Sequence, residues 1–300
     1  MRKSILILGV VVASLGLSAC GSSTKATIDS SIASLGAQSN LQIHFTASAS
    51  GTGSAEVQKV LNVVSLDIRY ASTSGGPLSR ANAKANSDIT INVGAKQLLD
   101  LREIDSNLYV ELDLSAISAI PGLPLTARDQ SQLTALQLVL GAKWFELTSS
   151  LIASELPPSD AAKATATKER AIESKIADAL SNLIDKGHAT SLASGGYSET
   201  GTLESVLQAI EPIVATLDPS ASTAGPVKGT YTLTLTNAGS VATGGSISIT
   251  APGGGVSAGD ATVTLQAGVT HDNDSVNTPS DVTVITPALI QQLLGSTSSL

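Results

Sequence analysis

Histidine, acidic and serine side chains are the residues most able to do chemistry, and their spacing decides whether they can act together. The three histidines, His44, His188 and His271, lie far apart, and no pair shows the His-Glu-x-x-His or a comparable ligand spacing. A shared metal site is therefore not expected. His271-Asp272-Asn273-Asp274 concentrates oxygen and nitrogen donors that could draw a divalent cation, but it lacks the glycine and distal glutamate of an EF-hand loop. Asn and Asp at this density read instead as a solvated hairpin turn. The many serines include none in a Gly-x-Ser-x-Gly or Ser-x-x-Lys context with a credible base. Pro252-Gly253-Gly254-Gly255 is followed by no Gly-Lys-Ser/Thr, so it reads as a turn and not as a phosphate cradle. Trp144, beside Phe145, fits a pocket mouth or an interface, and more readily a core anchor. These residues predict no catalytic group, no metal and no cofactor.

The sole cysteine, Cys20, has a more specific setting. Arg2 and Lys3 precede an apolar run from Ile5 to Leu17, broken only by Gly9, Ser14 and Gly16. The run is shorter than the roughly 20 residues a spanning helix needs, and it has the charged start of a secretory leader. Leu17-Ser18-Ala19-Cys20-Gly21 then resembles the bacterial lipobox: a leucine, two small residues that fit the signal peptidase, and the cysteine that becomes thioether-linked to diacylglycerol. A lone thiol in an oxidising compartment has no internal disulfide partner, which agrees with a covalent use. The expectation is a signal peptide over 1–19, an acylated tether over 20–27, and one domain over 28–300. The protein would sit on the extracytoplasmic face of the cell membrane, held by acyl chains on Cys20, with enough of them for stable attachment.

Composition narrows the partners. The net charge of −8 argues against nucleic acid or anionic headgroups as electrostatic partners, and it becomes more acidic once Arg2 and Lys3 leave. Hydrophobic residues make up 42% of the chain but aromatic residues only 2%, so the core must be aliphatic. Stacking platforms for sugars or bases are correspondingly scarce.

The elements follow from periodicity. Ile28, Ile32 and Leu35 predict a short amphipathic helix over 27–38, with Thr27 as N-cap. Period-two alternation predicts strands through Leu41, Ile43 and Phe45; Leu66, Ile68 and Tyr70; Ile89, Ile91 and Val93; and Leu108, Val110, Leu112 and Leu114. The polar residues between them predict an antiparallel sheet with one wet face. Asp105-Ser106-Asn107 reads as a hairpin turn. A helix over 128–140 and a strand over 143–147 come next. Ile172, Ile176, Leu180, Leu183 and Ile184 then mark a helix beginning near Ser159, and Leu203, Val206, Leu207, Ile210 and Val214 mark another over 202–217. Strands return at Tyr231–Leu235, Ile247–Ile249, Val263–Leu265 and Val282–Val284, and Thr286-Pro287 opens a last helix. Strands, then helices, then strands, without βαβ alternation, predict an α+β fold.

The lipobox, the short N-terminal helix, the Leu108-Tyr109-Val110 and Lys143-Trp144-Phe145 strands, the middle helices and the later strands together resemble the LppX/LprG-type lipoproteins of actinobacteria. Those are similar in fold to the LolA and LolB lipoprotein carriers. The run Asn277-Thr278-Pro279-Ser280-Asp281-Val282 likewise looks like the closing strand of that group. The resemblance spans most of the chain after the leader and implies a strongly curved antiparallel sheet, a half-barrel, with helices packed on its concave face. It also implies an apolar cavity between the two that takes acyl chains.

Two functions follow as expectations. One is an anchored lipoprotein that binds a lipid or other apolar small molecule for transport or sensing, without catalysis. The other is a surface or envelope-structural lipoprotein that contacts other envelope proteins and has a solid interior. An enclosed apolar cavity of several hundred Å³ between sheet and helices would separate them.

Overall fold

The computed structural model describes residues 30–31, 33–51, 55–79, 84–123, 125–141, 143–148, 151, 188–193, 195–206, 208, 228–238, 241–252, 260–271 and 275–286. Among the described residues, all the strands belong to one sheet of 12. In chain order they are β1 (Asn40–Ser50), β2 (Val64–Ser72), β3 (Ala85–Val93), β4 (Lys96–Ile104), β5 (Asn107–Leu112), β6 (Trp144–Leu147), β7 (His188–Ser191), β8 (Tyr197–Thr202), β9 (Thr230–Ala238), β10 (Val241–Ala251), β11 (Ala261–Thr270) and β12 (Val282–Val284). Their order across the sheet is β12-β6-β5-β4-β3-β2-β1-β11-β10-β9-β8-β7. Two meanders, one from each end of the chain, therefore join where β1 pairs with β11, residue Ile43 facing Val269 and Phe45 facing Ala267.

Each predicted strand has a counterpart, although Leu114 falls in a 3₁₀ turn beyond β5, and the expected turn at Asp105-Ser106-Asn107 is formed by Asp105 and Ser106, with Asn107 opening β5. Both residues have positive φ, 50° and 74°, and Ile104 faces Asn107 across the pair. That is the type I′ geometry, whose twist matches that of the flanking strands.

Alternation sorts the side chains onto two faces. On one face an apolar row runs Val269–Ile43–Ile68–Ile89–Leu101–Val110–Phe145 across seven strands. The other face carries the row Arg69–Asp88–Arg102–Tyr109–Glu146. Cross-strand neighbours at this spacing are the unit of sheet stabilisation, so the match of type along each row fixes the register.

The architecture corrects the expectation of an antiparallel half-barrel with helices packed on its concave face. The sheet is mixed, because β12 runs parallel to β6, and it does not close, since β12 and β7 stand at opposite ends. The described helices are few and short: a helical segment within 30–36, α1 (Ala55–Leu61), a 3₁₀ turn (Leu114–Ala119), α2 (Ala127–Leu140) and a turn at 203–206. The longest of them, α2, packs on the 3₁₀ turn and not on the sheet, and its Leu138 is 82% exposed. Its Leu133 is half-buried and its Leu136 and Leu138 are exposed, so these three form no buried stripe. A capping box between Thr126 and Asp129 starts α2, and those hydrogen bonds hold the exposed Asp129 carboxyl below its usual range. The helices expected near Ser159–Ile184, most of the one over 202–217 and the one after Pro287 lie outside the described residues. Of the second, the start is seen: the Thr202 hydroxyl accepts from the Ser205 amide, as an N-cap should.

The polar face has a covering of its own. Residues 275–286 cross it and end in β12, where the Ile285 amide donates to the Glu146 carbonyl. Beneath this strap, buried Val276 packs with Ala71, Ile104 and Tyr109, and Trp144 and Val282 flank them. The Arg102 guanidinium lies 4.6 Å from the centre of the Trp144 ring and donates to the Asn277 carbonyl. Trp144 is thus an anchor for the strap.

Candidate functional site

The apolar face of β8, β9, β10, β11, β1 and β2 lines a trough of about 600 Å³. Its geometry follows from the register. One row reads Leu66–Phe45–Ala267–Gly245–Leu235–Tyr197, and the next reads Ala47–Leu265–Ile247–Leu233–Glu199. The middle of the first row holds Ala267 and Gly245, which supply almost no side-chain volume, while Phe45, Leu66 and Leu235 rise on either side. A Cβ on Gly245 would come within 2.7 Å of the Thr234 carbonyl, so this position has no room for a side chain. Leu35, from the helical segment 30–36, closes part of the rim. Leu265 is half exposed although it lies in an apolar row, as a residue on an open concave surface would be.

One charged side chain lines the trough among the described residues, Glu199 at the end of the second row. It is 3% exposed. The Tyr231 hydroxyl donates to its Oε1 at 2.8 Å. Tyr231 belongs to the third row, opposite Gly201, and its ring lies where a Cβ on that glycine would be, 2.4 Å from its Cε1. The glycine therefore lets the ring cross the β8 backbone and reach the carboxylate. Burial, and then the Glu199 carboxylate that accepts its hydrogen bond, push the Tyr231 hydroxyl well above the usual phenol range. It stays protonated and acts as a fixed donor. Tyr70, further along the same face, is pushed up to about 12 by burial alone.

A second charged cluster lies beneath the strap. Arg102 Nη2 donates to Asp100 Oδ2 at 2.9 Å, and its Nε lies 3.7 Å from Asp88 Oδ2. Both carboxyls are buried. Burial pushes Asp100 up to about 6; the Arg102 hydrogen bond opposes this and the Asp88 charge adds to it. This cluster is tied to strap and sheet, and it faces away from the trough.

The residues singled out by sequence fall as follows. Cys20 lies outside the described residues, as do Asp272, Asn273 and Asp274. His44 is exposed and bonds Asp67 through Nδ1 at 2.7 Å, on the polar face, and His271 is exposed at the end of β11. His188 begins β7, at the sheet edge. No group of three or more His, Cys, Asp or Glu among the described residues could hold a metal ion, and no described helix is long and apolar enough to cross a membrane. Glu199 and β8 escaped sequence reasoning because Tyr197-Ser198-Glu199-Thr200-Gly201-Thr202 puts a carboxylate and a glycine at inward positions, which erases the alternation. Tyr231 was legible only as a strand residue.

Compared with known proteins, the chain matches no family model and no curated protein.

Proposed function

We propose that the chain is a membrane-anchored lipoprotein on the extracytoplasmic face, held by acyl groups on Cys20, that binds a lipid or other apolar molecule in the sheet trough for transport or sensing, without bond chemistry. The observation that carries this reading is the apolar trough of about 600 Å³, within the usual size of a small-molecule site and with a predominantly apolar lining. An apolar surface with few polar groups suits an acyl chain better than a sugar or a base. Each buried methylene contributes about 0.8 kcal/mol, so a single long chain gives enough gross affinity to exceed the cost of immobilisation. The Leu17-Ser18-Ala19-Cys20 motif supports the anchor and the compartment.

The test is native mass spectrometry, with solvent extraction, of a soluble form beginning at Gly21 and made in a host with a similar envelope. A defined lipid retained at one per chain supports the reading. A chain that carries none, before and after incubation with envelope lipids, overturns it in favour of a surface that contacts other envelope proteins.

A further inference from the structure

Resting on that ligand-binding reading, we propose that the trough holds a single hydrocarbon chain of limited length, its methyl end stopped by Leu35, so that its ligands are one-chain lipids and those with two or three chains are excluded. The argument is one of shape and volume. Phe45 and Leu235 stand three strand spacings apart, about 14 Å from backbone to backbone, with Ala267 and Gly245 between them. Their own side chains take up much of that distance. The gap left over the two small residues is one chain wide, and at Gly245 the chain rests on backbone, where no Cβ fits.

One end of the gap is shut. Leu35 is 5% exposed and clusters with Ile43 and Ala242, and Phe45, Leu235, Ala267 and Val269 pack against that cluster. The helical segment that carries Leu35 is tied down, since Asn237 Nδ2 on β9 donates to the Ser31 hydroxyl oxygen at 2.8 Å. Towards Leu265, which is half exposed, the gap is open. A chain therefore enters tip first from the Leu265 side and runs up against Leu35. The volume then bounds how much of it is covered. A methylene has about the bulk of a water molecule, roughly 30 Å³, so about 20 carbons fill the trough of about 600 Å³. A lipid with two 16-carbon chains brings more than half as many again. Each carbon left in water loses the burial it had in a bilayer, which costs about fourfold in retention.

The experiment equilibrates delipidated wild-type protein with phosphatidylcholine vesicles that carry equal amounts of saturated monoacylglycerols of 12 to 26 carbons, with dipalmitoylglycerol and tripalmitoylglycerol beside them. Native mass spectrometry, after the vesicles are removed, reads which species the protein retains. Retention is expected to hold up to a chain of about 20 carbons and to fall at least twofold with each carbon beyond. Monopalmitoylglycerol should exceed dipalmitoylglycerol at least tenfold, mole for mole. Leu35→Ala opens the shut end, so the break should move to chains about two to four carbons longer. No break between about 14 and 24 carbons, or a two-chain or three-chain glyceride held as well as the one-chain homologue, overturns the single-chain inference while leaving lipid binding in place. An unchanged break in a folded Leu35→Ala protein overturns the placement of the chain end. Retention of no species overturns the ligand-binding reading itself. The wild-type break and the ratio of one-chain to two-chain glyceride are decisive even where the variant does not fold.

Discussion

Asp100 gives the polar face a titration that can be measured. Its carboxyl is buried beside Asp88 and shares Arg102 with it, and burial raises it to about 6, against an ordinary value near 4. Between about pH 4 and 6 the folded chain holds a proton there that the unfolded chain has released. The folded state binds more protons, so stability falls as pH rises through this window, and the loss is complete above it. A shift of this size is of the order of 1–3 kcal/mol. Asp100→Asn removes the group, so the difference in urea midpoint between wild type and variant should change steeply between pH 4 and 6 and be flat above pH 7. Parallel profiles would show that Asp100 does not titrate in this way. At the other end of the chain, Cys20→Ser removes the only thiol. The variant should appear in the soluble fraction or remain uncut when envelopes are separated by centrifugation, and acylation-dependent membrane retention equal to wild type would refute the anchor.

Elements are held by different means, and the strap is the most local of them. Its strand β12 has three residues, and it is bound by the parallel pairing to β6, the Val276 cluster and the Arg102–Asn277 contact. Val276→Asp puts a charge into that cluster and should lower the free energy of strap opening by about 2 kcal/mol or more. Hydrogen exchange should show lost protection at Val282–Val284 with β9, β10 and β11 unchanged; loss across all strands together would mean that strap and sheet unfold as one unit. Strands with an unbroken period of two, such as β1, β2 and β3, were legible because every inward residue is apolar. The partners of those strands were not. Alternation states which face is buried and is silent on the neighbour, so the junction of β1 with β11, more than 200 residues apart, needed the coordinates. The helix over 128–140 was legible as an element but its packing was not, since α2 presents Leu138 to solvent. The trough residues were legible as apolar positions without their role, since Ala267 or Leu235 has the same character whether it fills a core or lines a site.

At the scale of the molecule, the open sheet has to manage two edges and one exposed apolar concavity. The edges are short, four residues in β7 and three in β12, which limits pairing with other chains. The concavity is not protected in that way: Leu265 is half exposed within an otherwise apolar row, and a surface of this kind marks a binding site or an aggregation hazard. A single substitution separates a ligand trough from a position that the chain itself fills. Ala267 sits in the middle of the first row, between Phe45 and Gly245. In a trough that awaits a ligand, Ala267→Phe occupies free volume, so stability should change by less than about 1 kcal/mol while lipid uptake falls at least tenfold. In a position already packed by protein, the same ring overfills the site and costs about 1–3 kcal/mol. Urea unfolding beside native mass spectrometry reads both quantities on one preparation. Unchanged stability with lost uptake supports the trough as the binding site, and a large destabilisation makes this face a core.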